Sequence, residues 1–129
     1  VCLDTDILVS ATRRDPEALS FLSSLDGGLE PSRTTIITAC ELYHGAFKTK
    51  NPKNRQIVDE TLRSLEVLQL TLESAQIFGR LCATLQTEGK TVADFDLLIA
   101  SICIANNEVL ITRNCKHFEK IGELETKKW

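Results

Sequence analysis

Ten residues from Asp96 to Ala105, reading DLLIASICIA, are apolar almost without interruption. The run is too short to cross a bilayer and long enough for a helix buried on most of its surface. Thr91 stands three residues before Asp94, the spacing at which a cap hydroxyl and an N3 carboxylate satisfy each other's free N–H groups, so it predicts a capping box. Asn106 and Asn107 supply the stop, because Asn tolerates the left-handed conformation that closes helices. Val109, Leu110 and Ile111 follow as a short β-branched-rich run ending in Thr112. A buried helix therefore hands over to a buried strand.

The same reading extends along the chain. Val1 to Leu3 forms an apolar run that breaks at Asp4, Thr5 and Asp6 and resumes at Ile7 to Val9. Asp15, Pro16 and Glu17 give a cap, a proline at the first helical position and an early acid; Ala18, Leu22 and Leu25 follow at helical spacing, and Gly27 and Gly28 stop the helix. Leu29 to Thr34 reads as a strand, and Thr35 or Thr38 opens a helix through Phe47 with Ile37, Cys40 and Phe47 facing inward. Asn51 and Pro52 cap a further helix with Val58, Leu62 and Leu65 as its stripe. Val67 to Leu70 reads as a strand. The helix that follows runs to about Glu88, carries Ile77, Phe78, Leu81, Cys82 and Leu85 on one face, and stops at Gly89. Phe118 to Ile121 closes a short helix, and Leu124 to Trp129 adds an edge strand. Helical patterns separate every pair of strands, which predicts an α/β fold: a parallel sheet with right-handed crossovers and helices on both faces.

Composition narrows the class. At 129 residues and 43% hydrophobic, the chain fits one domain spanning residues 1–129 with a real core. No apolar run of membrane length and no signal-like N-terminus is present, so no membrane association is expected. The five cysteines, Cys2, Cys40, Cys82, Cys103 and Cys115, are widely spaced without a CxxC pair. This pattern fits reduced thiols in a cytoplasmic protein better than disulfides or zinc. A net charge of −3 argues against a protein that holds nucleic acid through a broadly basic surface. One local basic segment stands out: Lys48, Lys50, Lys53 and Arg55 lie together without an acid. It reads first as a solvated helix end and second as a phosphate-binding groove or partner interface.

In parallel sheets of this kind, sites form beyond the carboxyl ends of the strands. Asp4 ends the first strand, Glu41 lies early in the helix after the second, Asp96 heads the helix before the fourth, and Asn114 follows it. All can reach one edge. Carboxylates gathered without a cation repel, so such a cluster shares a proton or binds a hard divalent ion, Mg²⁺ or Mn²⁺ rather than zinc. The corresponding chemistry is metal-dependent phosphodiester hydrolysis. Singly, the acids have bland readings: Glu41 as a solvated helix residue, Asp4 as a cap for the first helix, Asp6 as a cap or an orienting group, and Asp94 as part of the capping box. His44 and His117 read as surface or helix-end residues.

These segments resemble the PIN-domain family, most closely its VapC-type toxins. LDTDILV (Leu3 to Val9), TACELYHGA (Thr38 to Ala46), DLLIAS (Asp96 to Ser101) and LITRNCKHFEKI (Leu110 to Ile121) carry the likeness, in order and over essentially the full length. The resemblance implies a three-layer α/β/α sandwich around a mostly parallel sheet of about five strands. It implies an Mg²⁺- or Mn²⁺-dependent endoribonuclease that cleaves RNA, forms homodimers and is inhibited by a VapB-like antitoxin whose tail covers the acidic pocket. Asp4, Glu41 and Asp96 match the family's catalytic, metal-binding acids. Asn114 stands where many members have a fourth acid, and can still ligate through its carbonyl. Thr112 matches a hydroxyl position that orients an acid. Two alternatives compete: a degenerate PIN fold kept as a binding module, and a haloacid-dehalogenase-like phosphatase with Asp4 as nucleophile.

Overall fold

The computed structural model describes residues 1–129. Five short strands, β1 (Cys2–Leu3), β2 (Arg33–Thr35), β3 (Glu66–Leu68), β4 (Leu110–Ile111) and β5 (Thr126–Lys127), form one sheet in the order β3-β2-β1-β4-β5. Every pairing is parallel. Seven helices connect them: α1 (Thr5–Thr12), α2 (Pro16–Leu25), α3 (Ile36–Lys48), α4 (Pro52–Arg63), α5 (Leu72–Thr87), α6 (Asp94–Ala105) and α7 (Cys115–Phe118).

The central strands β1 and β4 are buried on both faces, and their alternation sorts side chains into two layers. Cys2 and Leu110 join a core with Leu81, Leu85, Ile99 and Ile102 from α5 and α6. Their neighbours Leu3 and Ile111 face the other way, onto Ile7, Leu8, Leu42 and Val58 from α1, α3 and α4. The result is the expected α/β/α sandwich. Ile99 and Ile102 are fully enclosed, each worth about 1.5–3 kcal/mol in apolar burial. Gly89 closes α5 at φ +66° and Asn107 closes α6 at φ +53°, as the sequence predicts.

Three expectations are corrected. The capping box does not form: α6 begins at Asp94 with Ala93 as its cap residue and no side-chain cap bond. Buried Val92 and the bond from Lys120 Nζ to the Thr91 carbonyl (2.9 Å) anchor the connection into the helix. In α3, Cys40 and Phe47 face solvent; Ile37, Thr38, Ala39, Leu42 and Ala46 are the buried face. The Thr35 hydroxyl, accepting from Thr38 N–H at 3.0 Å, sets that rotation, and the small residues let neighbouring helices approach. The second and third strands lie at 33–35 and 66–68, leaving Leu29 and Leu70 exposed, and the last short helix forms at 115–118 rather than 118–121.

Candidate active site

Parallel pairing carries the site's first two residues together. Leu3 is in register with Ile111, and Asp4 N–H donates to the Ile111 carbonyl at 3.0 Å. Asp4 and Thr112 thus leave adjacent strands at the same edge. Asp4 is 7% exposed and turns its carboxylate onto Thr5 N–H at 2.8 Å, starting α1. Burial pushes its pKa up from 3.8 to about 6; the Thr112 hydroxyl and the Thr5 N–H oppose the shift, and the charges of Asp6 and Asp96 add to it.

The helices deliver the other acids. Because α6 runs back against the strands into β4, its first turn, with Asp96, lies at the carboxyl edge of the sheet. Its charge is felt at Asp4. Glu41, on α3, accepts a hydrogen bond from the Thr5 hydroxyl at 2.7 Å, one residue from Asp4. Asp6 accepts from Thr112 Oγ1 (3.1 Å), Arg113 N–H (2.8 Å) and Trp129 Nε1 (2.9 Å). It is a clasp joining α1 to the loop after β4 and to the C-terminal segment, so its orienting role is favoured over capping. Asn114 is exposed in that loop, and its N–H donates to Thr112 Oγ1 at 3.0 Å.

His117 lies at a helix end, as the sequence predicts, and also reaches the site. His117, on α7, places Nε2 3.0 Å from Asp96 Oδ2. The nitrogen is sealed from water and makes no well-angled hydrogen bond. The signal available was its position three residues after Asn114, on the face that a one-turn helix directs back to the site.

Asp4, Asp6 and Glu41 form no ion pair with a lysine or arginine, and Asp96 meets only His117. Hard oxygen donors without a counter-charge, one of them a buried carboxyl held near pH 6, suit a divalent cation. No three His, Cys, Asp or Glu side chains stand close enough to hold one ion between them. Glu41 in particular is engaged with Thr5. Small octahedral cations are commonly held by one or two carboxylates with waters and substrate phosphate completing the shell, and Asp4 and Asp96, whose charges act on each other, are the pair that could do so. A cleft of 840 Å³ lies elsewhere, among Leu8, Leu19, Leu22, Ile57 and Leu65, and none of Asp4, Asp6, Glu41 and Asp96 belongs to its lining.

Known proteins share this architecture. The chain is 30% identical over 128 residues to Ribonuclease VapC2 of Haemophilus influenzae, covering 98% of this chain and 96% of the relative. It is 30% identical over 130 residues to the tRNA(fMet)-specific endonuclease VapC of Salmonella typhimurium, with the same coverage. Among solved structures, VapBC2 from Rickettsia felis bound to a DNA fragment from its promoter superposes with a TM-score of 0.91 at 30% identity, covering 99% of this chain and 97% of that one. DNA-bound VapBC from Salmonella typhimurium gives a TM-score of 0.89 at 28% identity, covering 99% and 96%. The profile described as PIN domain matches residues 1–124, and the chain belongs to the PIN domain family.

Proposed function

We propose that this chain is a divalent-metal-dependent endoribonuclease, the toxin of a toxin–antitoxin pair. The observation that carries the reading is the buried Asp4 carboxyl, held near pH 6 at the strand edge beside Asp6 and Asp96 with no basic counter-ion. Asp4 and Asp96 are the metal-binding acids, with Mg²⁺ or Mn²⁺ as the cation. When bound, such an ion polarises the phosphodiester and lowers the pKa of an attacking water. Thr112, itself bonded to Asp6, orients Asp4. Glu41, whose carboxylate accepts from the Thr5 hydroxyl, would hold a second ion or orient the water, and Asn114 would offer its amide oxygen. The partner is an antitoxin similar to those in the VapBC complexes, and the toxin forms a homodimer in the cytoplasm. No helix is long and apolar enough to cross a membrane.

The test is cleavage of an RNA panel with Mg²⁺, with Mn²⁺ and with EDTA. Asp4→Asn and Asp96→Asn are expected to abolish cleavage while the fold survives by circular dichroism; full activity in either purified variant rejects the assignment. A second reading, a PIN fold kept only for binding, is favoured by the absence of three convergent ligands. Calorimetric titration showing no metal binding, together with no RNA cleavage, would establish it.

A further inference from the structure

The basic segment singled out in the sequence lies beside a cleft that the acids alone do not explain. A second cleft, 280 Å³ in volume, opens between α1, α3 and α4 and includes Glu41, Arg13, Gly45, Thr49 and Asn54 in its lining. Glu41 is its only acid and forms the end nearest Asp4, through the Thr5 hydroxyl bond of 2.7 Å. At the outer end, Thr49 and Asn54 are hydrogen-bonded to each other, which ties the start of α4 to the end of α3. Next to these two in the sequence, and outside the lining of the cleft, stand Lys48, Lys50, Lys53 and Arg55.

Three features give this corner its chemistry. None of these four cations, nor Arg13, forms an ion pair, and all five are exposed. In a chain of net charge −3, that is a concentrated and unneutralised positive field. Phe47 is 63% exposed, and the Arg55 guanidinium lies 4.9 Å from its ring centre. An open aromatic with a cation over it is a surface on which an unpaired base stacks. Gly45 leaves the wall open, since a Cβ there would meet nothing within 4 Å. A volume of 280 Å³ has room for a base or a sugar.

We propose that this cleft and the basic corner outside it together hold single-stranded RNA next to the scissile phosphate, with Arg13 of the cleft and Lys48, Lys50 and Lys53 of the corner on backbone phosphates and Phe47 with Arg55 on a flanking base. The inference rests on the ribonuclease reading, and it names where that substrate lies. The strand runs from the α3–α4 corner past Gly45 to Glu41. The acids then receive one phosphate of a chain already held by its neighbours.

The experiment compares wild type, Lys48→Glu/Lys50→Glu/Lys53→Glu, Phe47→Ala and Gly45→Leu on a fluorescein-labelled single-stranded RNA. The charge-reversed variant is expected to raise KM about tenfold near 0.1 M salt with kcat within about twofold, and to flatten the slope of log(kcat/KM) against log salt by about 2, as three lost phosphate contacts require. Phe47→Ala raises KM about tenfold through lost stacking. Gly45→Leu fills the cleft without changing charge on an exposed helix position that favours Leu over Gly, and raises KM likewise. Unchanged KM and salt slope in the charge-reversed variant overturn the inference. So does a variant that cleaves normally but no longer binds antitoxin, since the patch is then a protein interface. If wild type cleaves no RNA with any cation, the ribonuclease reading fails by itself. Anisotropy of the same RNA then decides the cleft: tighter binding by wild type than by the charge-reversed variant supports it, and equal binding overturns it.

Discussion

The imidazole of His117 brings Nε2 to 3.0 Å from Oδ2 of Asp96, at a nitrogen closed off from water. The contact is too poorly angled for a hydrogen bond as it stands, and a small rotation of either side chain would let a protonated Nε2 donate to Asp96. Outer partners of this kind fix the direction of a metal-binding carboxylate and typically set metal affinity by about 10–100-fold. His117→Ala should therefore weaken Mn²⁺ binding in calorimetry by about tenfold or more, and His117→Gln, which keeps an N–H donor, should recover most of the loss. Equal binding by all three proteins would leave His117 as a packing residue only.

Asp4 makes the pH dependence of the metal-free protein unusual in sign. Its folded pKa of about 6 lies above the ordinary 3.8, so between the two the folded chain keeps a proton that the unfolded chain has released. The stability tied to this group is fully present below about pH 4 and is lost as pH rises through 6, in all about 3 kcal/mol. Asp4→Asn keeps an oxygen for Thr5 N–H and removes the charge. In EDTA at pH 7.5 it should unfold at higher urea than wild type, by up to about 3 kcal/mol, with the difference vanishing near pH 3.5. A variant less stable than wild type at pH 7.5 would contradict this account.

Thr112 is fully buried and serves two bonds, donating to Asp6 at 3.1 Å and accepting from Asn114 N–H at 3.0 Å. Its hydroxyl also holds the Asp4 pKa down. Thr112→Val keeps the volume and removes both bonds, while Asp6 retains its other donors and the exposed Asn114 N–H meets water, so it should cost about 0.5–1.5 kcal/mol per lost bond at most in urea unfolding. It should also shift the midpoint of Asp4 ionisation upward when followed by NMR of the carboxyl carbon.

How far this site could be read in the sequence depends on which forces place each residue. Asp4 was legible because a buried strand ends at it, and the register of Leu3 with Ile111 does the rest. Asp96 was legible as an acid heading an apolar helix, although its cap was misread: Thr91 had the right spacing for a box, but nothing in that spacing reports the burial of Val92. The inward face of α3 was misassigned because hydrophobicity favoured Cys40 and Phe47, whereas packing selected Thr38, Ala39 and Ala46, small enough for close helix approach. His117 was legible as a helix-end residue but not as a neighbour of Asp96, for a different reason. Its partner is nearby only after α7 folds back, and a one-turn helix leaves no periodicity to read.

Asp6 ties the site to the end of the chain, and the single tryptophan reports on it. Trp129 Nε1 donates to Asp6 at 2.9 Å while the Arg113 guanidinium covers the indole at 3.6 Å. Asp6→Ala removes the acceptor for three donors, leaving buried Thr112 without that partner. A loss of about 1–3 kcal/mol is expected, with a red shift of Trp129 emission as the indole meets water. An unchanged spectrum would mean that the stack on Arg113 alone fixes the ring.

The role proposed for Asn114 makes the choice of cation testable. The residue lies exposed two residues after Thr112, in the loop that Asp6 clasps, and provides an amide oxygen where a carboxylate would add charge. A neutral donor lowers the total negative charge offered to an ion, and Mg²⁺, which gives up its waters reluctantly, suffers most from that reduction. Mn²⁺ dehydrates more readily and should be the better activator of the native chain. Asn114→Asp adds one hard anionic donor beside Asp4, Asp6 and Asp96, so Mg²⁺ binding should tighten by about tenfold and the Mn²⁺ preference should shrink. The same change increases repulsion among the acids, so in EDTA the variant should be slightly less stable than wild type at pH 7.5 and equal to it near pH 3.5. If cation dependence and metal-free stability are both unaltered, residue 114 lies outside the electrostatic reach of the site and the second-ion role assigned to it fails.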